Sequence, residues 1–283
     1  MRIRLSAFSD EAGISLREQI DALHRNGIGL TELRSVDNKN VAELTLGEAK
    51  DIYATLKSEG IALSAVGSPM GKVKISVDID QYLDTVKHIC ELANALETDK
   101  IRMFSFFESQ GHREKVIENL CRMVEVADSY GVGLYHENEK GIYGDTAERV
   151  LDLRESVKGL HFVYDPANFL QVGENADKTL PLLCPISDYF HIKDVITASG
   201  ELVPAGEGDG QIPRLVNMID RDTMMTLEPH LMIFSGYDKI DGEKMKHKFH
   251  FESNAQSFDA AVGYLKNILI GGGYTEKEGE FIK

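Results

Sequence analysis

The chain has 283 residues and a formal net charge of −15, from 46 acidic against 31 basic side chains. That length holds one large domain or two small ones and buries a sizeable core without covalent staples. The charge argues against a nucleic-acid partner, which needs clustered Lys and Arg, and leaves metal ions and small neutral molecules as better-matched ligands.

Short apolar runs alternate with longer amphipathic ones. Ile3–Phe8 reads as a strand, followed by Phe8-Ser9-Asp10-Glu11-Ala12-Gly13. That turn lacks the glycine fingerprint of an open, doubly wound dinucleotide-binding sheet. Leu16–Arg25 carries Leu16, Ile20 and Leu23 on one face and closes on Asn26-Gly27. Strand Gly29–Leu33 leads into a long loop, Arg34–Thr45, then helix Leu46–Ser58, strand Ala62–Val66 and helix Ile79–Leu96. Strand Ile101–Phe106, helix Val116–Tyr130 and strands Gly133–Glu137, His161–Tyr164, Tyr189–Lys193 and Met224–Glu228 follow. A second long loop, His230–Glu252, carries Phe234, Tyr237, Phe249 and Phe251; helix Gln256–Leu269 comes next. The polar, glycine-rich tail Gly271–Lys283 is expected to be mobile or an oligomer contact.

Stripes at i, i+3, i+4 mark helices that pack on a core. Alternating strands and helices imply parallel strands joined by crossovers. Eight units of roughly 35 residues predict an α/β fold, a single (β/α)8 TIM barrel over 1–270 with long loops after strands 2 and 8. Both loops then fall on the C-terminal face, where barrel enzymes keep their sites.

Four consecutive strands end in an acid or a histidine: Glu137, Asp165, His191 and Glu228, spaced by 28, 26 and 37 residues. Taken singly, each is an ordinary polar strand end. In register on strands five to eight, all four point to one mouth. Three carboxylates and an imidazole suit one hard or borderline divalent ion, Mn²⁺ first and Mg²⁺, Co²⁺ or Zn²⁺ as alternatives, better than a closed structural zinc site.

The motifs Glu137-Asn138, Asp165-Pro166-Ala167-Asn168, His191-Ile192-Lys193-Asp194, Pro204-Ala205-Gly206-Glu207-Gly208 and Leu227-Glu228-Pro229 resemble the sugar phosphate isomerase/epimerase family of xylose-isomerase-like TIM barrels. The resemblance covers nearly the whole chain. It implies the metal ligands Glu137, Asp165, His191 and Glu228, with Glu137 and Glu228 also moving protons. It implies a carbohydrate substrate and a homodimer or homotetramer. Ketose epimerases of the family carry histidine three residues after the strand-six aspartate, and often two after the strand-five glutamate. This chain has Asn168 and Glu139 there.

The expected activity is a metal-dependent isomerisation or epimerisation of a small sugar, keto-sugar or cyclitol through a metal-bound cis-enediolate. The alternative is a lyase or dehydratase that shares the first proton abstraction. An apurinic-site endonuclease on the same barrel would need more strand-end histidines and a basic groove. A non-catalytic sugar-binding protein would not need two opposed glutamates. Expected substrate contacts are Asn168, Lys193, Glu207, Glu32 and His230. Lys193 has an ion pair with Glu207 or another mouth carboxylate as its plainer role; for Glu32 that partner is Arg34. His136 should point away from the mouth. The acids in Pro204–Gly210 disfavour a phosphate, so a non-phosphorylated substrate is expected. Cys90, Cys121 and Cys184 read as reduced thiols of a cytoplasmic protein. The start shows no signal peptide, and no apolar run has the roughly 20 residues of a membrane span.

Overall fold

Capping residues set where the helices begin. Ser15 accepts from the Glu18 N–H while Glu18 reaches back, a reciprocal cap that opens α1 (Leu16–Arg25). Thr45 and Glu48 do the same for α2 (Leu46–Ser58), and Asp78 caps α3 (Ile79–Ala95). Gly27 and Gly60, at φ of 64° and 72°, supply the left-handed turns after α1 and α2. Helices α4 (Arg113–Ser129), α5 (Ala147–Ser156), α6 (Pro166–Gln171), α7 (Ala176–Leu183), α8 (Ile212–Met218) and α9 (Asn254–Gly271) follow. The structure, a computed structural model, describes residues 1–232, 249–277 and 279–283. Phe234 and Tyr237 of the loop after the eighth strand lie outside them.

The eight expected strands are β1 (Arg2–Ala7), β2 (Leu30–Leu33), β3 (Ala62–Gly67), β4 (Lys100–Met103), β5 (Gly133–Glu137), β6 (Leu160–Tyr164), β7 (Tyr189–Ile192) and β8 (Thr223–Leu227). They pair in parallel in the order β1-β8-β7-β6-β5-β4-β3-β2. The curled sheet brings β1 back beside β2, where Thr31 Oγ1 donates to the Ala7 carbonyl at 3.1 Å. This is the α/β TIM fold predicted from the alternation. Strand β4 ends earlier than its apolar run suggests. Phe106 has a φ of 69°, and Phe104 N and Phe106 N bond to Met70 O and Gly71 O. The loop after β2 is not bare chain: it folds into a hairpin, Ser35–Val36 against Lys39–Asn40, and a short turn at Val41–Glu43.

The main core lies between sheet and helices. Ile3, Leu5, Ile101, Leu134 and Phe190 of the strands meet Ile20, Leu56, Ile89, Leu120 and Leu265 of the helices, all fully or almost fully buried. Each such side chain stabilises the fold by about 1.5–3 kcal/mol, so this layer dominates the gain on folding. The barrel interior is stratified. Its lowest layer is apolar and aromatic: Leu30, Tyr135, Val163, Tyr189 and Met224. Two residues further along the strands stand Glu32, Glu137, Asp165, His191 and Thr226, because side chains alternate with a period of two.

The C-terminal tail is not loose. Strands β9 (Thr275–Lys277) and β10 (Glu280–Ile282) form a hairpin, and β10 pairs antiparallel with β1, Phe281 opposite Ile3. Phe281 is fully buried, and the Met1 ammonium donates to the Lys283 carbonyl at 2.7 Å.

Candidate metal centre and active site

Each predicted ligand is presented by a strand end and fixed by its neighbours. Asp165 ends β6 and caps α6: its Oδ1 accepts from Asn168 N at 3.1 Å, and Pro166 occupies the first helical position. The Asn138 side chain clamps the Asp165 backbone through both its N–H and its carbonyl, at 2.9 and 2.8 Å. His191 is fully buried between two carboxylates. Its Nδ1 lies 3.0 Å from Glu137 Oε1 and 3.3 Å from Glu228 Oε2. Its other nitrogen, Nε2, is 3.1 Å from Glu32 Oε2, and the Phe8 ring packs edge-on at 5.1 Å.

One donor atom from each of Glu137, Asp165, His191 and Glu228 lies within 4.8 Å of the others. Three of those residues keep a buried atom, Asp165 Oδ2, His191 Nδ1 and Glu228 Oε2, that has an ion-pair neighbour but no well-aligned hydrogen bond. Buried polar atoms are nearly always paired, so several orphans turned to one spot fit a cation there. Charge points the same way. Among the described residues, seven carboxylates (Asp10, Glu11, Glu32, Glu137, Glu139, Asp165 and Glu228) face the cations Arg34, Lys72, Arg102 and Lys193. Counted with His191 as the neutral imidazole a metal ligand has to be, the excess is three negative charges, which a divalent ion would largely offset. Burial, with Glu137 and Glu228 alongside, pushes Asp165 up to about 7 even against Lys193. Burial disfavours charge on His191, yet Glu137 and Glu32 outweigh it and hold the imidazole well above its usual range. Burial also works against the Glu228 carboxylate, but Lys193, His191 and His230 outweigh it and hold Glu228 well below the usual range. The donor set is oxygen-rich with one nitrogen, as divalent Mn, Mg or Co sites require.

The expected substrate contacts divide. Asn168 and Lys193 stand at the cluster: Asn168 Nδ2 donates to Glu137 Oε1 at 3.2 Å, and Lys193 Nζ is 3.0 Å from Asp165 Oδ2 and 3.8 Å from Glu228 Oε2. His230 is close too, with Nε2 3.4 Å from Glu228 Oε1 and 3.3 Å from Glu11 Oε1. Its backbone sits at φ 47°, and its N–H donates to Glu11 Oε2 at 2.7 Å. Glu32 is fully buried beneath His191, and its acid accepts from Tyr189 OH and Thr226 Oγ1 at 3.2 and 3.0 Å. Glu207 is exposed on its loop, and Lys193 pairs with Asp165 in its place. Glu139 instead takes Lys72 Nζ at 3.0 Å, with that ammonium 4.4 Å from the Phe104 ring centre. His136 points outward as expected: its Nε2 meets Ser105 Oγ at 2.8 Å against Gly144, where any Cβ would lie 2.2 Å from the ring.

The glycine loop closes on the protein itself. The N–H groups of Gly206, Gly208 and Gly210 donate to the Asp194 carboxylate at 2.8, 3.2 and 2.8 Å, joined by Val195 N at 2.9 Å. Those donors are spent inside the protein and leave no phosphate cradle.

Sequence reasoning missed Arg102 and the partners of Arg34. Arg34 does not pair with Glu32. It forks onto Asp10 with two bonds of 2.9 Å, reaches Glu11 at 3.2 Å and Glu228 at 3.1 Å, and stacks on Phe8. Arg102 lies between Phe8 and Phe104, with Nε 3.3 Å from Glu137 Oε2. A charge inside the apolar run Lys100–Met103, and Asp10-Glu11 directly after β1, were the available signals.

The fold has well-matched relatives. A probable 3-DHS dehydratase, AsbF, involved in petrobactin synthesis from Bacillus anthracis superposes with a TM-score of 0.71 at 18% identity, over 94% of this chain and 99% of that one. A D-allulose 3-epimerase from Methylomonas sp. gives 0.70 at 13% identity, over 96% and 98%. A xylose isomerase-like TIM barrel protein from Mycobacterium smegmatis, in complex with magnesium, gives 0.68 at 12%, over 96% and 97%. No curated protein matches the sequence. The sequence profile described as xylose isomerase-like TIM barrel matches residues 20–241. The chain belongs to the xylose isomerase-like TIM barrel family.

Proposed function

We propose that this protein is a divalent-metal-dependent isomerase or epimerase of a small, uncharged polyhydroxylated carbonyl compound, such as a keto-sugar or cyclitol. The observation that carries the reading is the pair of buried glutamates flanking His191. Each has one oxygen toward the cluster and the other held by an arginine, Glu137 by Arg102 and Glu228 by Arg34. Glu137, Asp165, His191 and Glu228 would hold the ion, with Mn²⁺ the first choice. The ion supplies Lewis acidity, which raises the acidity of a carbon next to a carbonyl.

The chain's own groups do the rest. One glutamate takes the proton from the carbon between carbonyl and hydroxyl. The other returns a proton to the opposite face, which inverts that carbon, or to the neighbouring carbon, which moves the carbonyl. The surrounding cations hold Glu228 as a carboxylate. Lys193, 3.0 Å from Asp165, would offer an ammonium to an enediolate oxygen that gains negative charge. The net negative cluster and the spent N–H groups of Gly206–Gly210 favour a neutral substrate over a phosphorylated one.

A lyase is the second reading. Asn168 and Glu139 stand where ketose epimerases carry imidazoles, and the proton abstraction is shared. The test is incubation of the Mn²⁺-loaded protein with keto-sugars and keto-inositols in D2O. Deuterium in an epimer or isomer supports the first reading, and a dehydrated product supports the second. No exchange with any keto compound would refute carbon-acid chemistry at this site.

A further inference from the structure

We propose that Glu32 and Arg102 are positioning residues that lock the metal-ligating nitrogen of His191 and the carboxylate of Glu137 from beneath the site. The inference rests on the metal reading of the four strand ends. Its substance is a closed circuit of four buried side chains from β2, β4, β5 and β7. His191 Nε2 is 3.1 Å from Glu32 Oε2, and Glu32 Oε1 is 3.8 Å from Arg102 Nε. Arg102 Nε is 3.3 Å from Glu137 Oε2, and Glu137 Oε1 returns to His191 Nδ1 at 3.0 Å.

The circuit makes a chemical choice. An imidazole that gives its Nε2 proton to a carboxylate has only Nδ1 left as a lone-pair donor, and the ring is then fixed in tautomer and angle. Glu32 is fully buried beneath the mouth, against His191. It is itself over-determined, since Tyr189 OH and Thr226 Oγ1 donate to its two oxygens from β7 and β8. Arg102 serves both acids. Its Nη1 donates to the Ser68 carbonyl at 3.2 Å and its guanidinium lies between two phenyl rings, so it cannot swing away from Glu137. A charged pair inside a barrel is costly unless its geometry is fixed. Here the fixed geometry bears on two of the four ligands.

The experiment is titration of Mn²⁺ alone into full-length wild type, E32Q, R102M and the double variant, by competition with a fluorescent chelator. Visible absorption of the Co²⁺-loaded proteins is the second readout. Outer partners of ligating histidines typically tune affinity 10–100-fold. E32Q should weaken Mn²⁺ by that factor and shift the Co²⁺ bands, which a residue serving only stability would leave in place. Because the circuit acts as a unit, the double variant should lose little more than the worse single one. Losses that simply multiply overturn the circuit. Equal affinity of E32Q and wild type, within twofold, overturns the role of Glu32. If E32Q does not fold, Y189F and T226V each remove one hydrogen bond to Glu32 and should weaken Mn²⁺ about threefold or more; no change in either refutes the proposal. A wild type that binds no divalent ion would refute the metal reading first, and this inference with it.

Discussion

Asn in place of Asp194 should destabilise the fold while leaving the four strand-end ligands untouched. The Asp194 carboxylate is buried and accepts four backbone N–H groups, from Val195, Gly206, Gly208 and Gly210, at 2.8–3.2 Å. A hydrogen bond to a charged acceptor contributes about 1.5–3 kcal/mol. An amide keeps one accepting oxygen and turns an NH2 group on the remaining donors, so about two of the four bonds are lost. Burial raises the Asp194 pKa despite those N–H groups, so removing the charge recovers part of the loss. The net cost is about 2–4 kcal/mol, or roughly 1 M in the urea midpoint at an m-value near 3 kcal/mol/M. Gly208→Ala should act in the same direction, because its Cβ would stand 2.4 Å from Asp194 Oδ1 and 2.7 Å from Val195 O. Urea unfolding followed by circular dichroism measures both. A loss under about 0.5 kcal/mol for D194N would refute the view that Asp194 organises this loop. So would stabilisation of the wild type by inorganic phosphate that the variant lacks.

Lys193→Met should tighten Mn²⁺ binding by about tenfold and lower kcat, because the ammonium that repels the ion is also the group proposed to face the substrate; the coupling of unit charges about 4 Å apart is of that order or larger. Weaker Mn²⁺ binding in the variant would contradict the charge ledger of the site. His136 makes acid stability a test of packing. Burial lowers its pKa to about 3 from the model-peptide value of 6.5. Below 6.5 the unfolded chain takes up a proton that the native one refuses, so its contribution falls as pH drops from 6.5 toward 3, by about 1.4 kcal/mol per pH unit. Chemical denaturation across that range should show the slope in wild type and a flatter one in His136→Gln; parallel profiles would rule the histidine out as its source.

Much of the barrel was legible because its signals are local. Each strand is an apolar run bounded by turn residues, and α1, α2 and α3 each show a stripe plus a cap. Glu137, Asp165, His191 and Glu228 could be read because every one closes such a run. What escaped is the pairing of charges from distant strands. Nothing near Arg34 announces Asp10, 24 residues away, or Glu228, 194 away. Nothing near Arg102 announces that it lies under Glu137. The glycine loop was read from its acids as no phosphate site; what its sequence did not announce is that its N–H groups close on the neighbouring Asp194. The tail was judged by its glycines rather than by Tyr274 and Phe281, both buried, of which Phe281 sets its place against β1.

The central claim is that Glu137, Asp165, His191 and Glu228 jointly hold one divalent ion. Calorimetric titration of metal-stripped protein with Mn²⁺ tests it most directly. The account predicts one ion per chain in wild type, and binding lost or weakened at least a hundredfold in Asp165→Asn and His191→Ala with the fold intact. No binding by the wild type, or unchanged affinity in both variants, would contradict it.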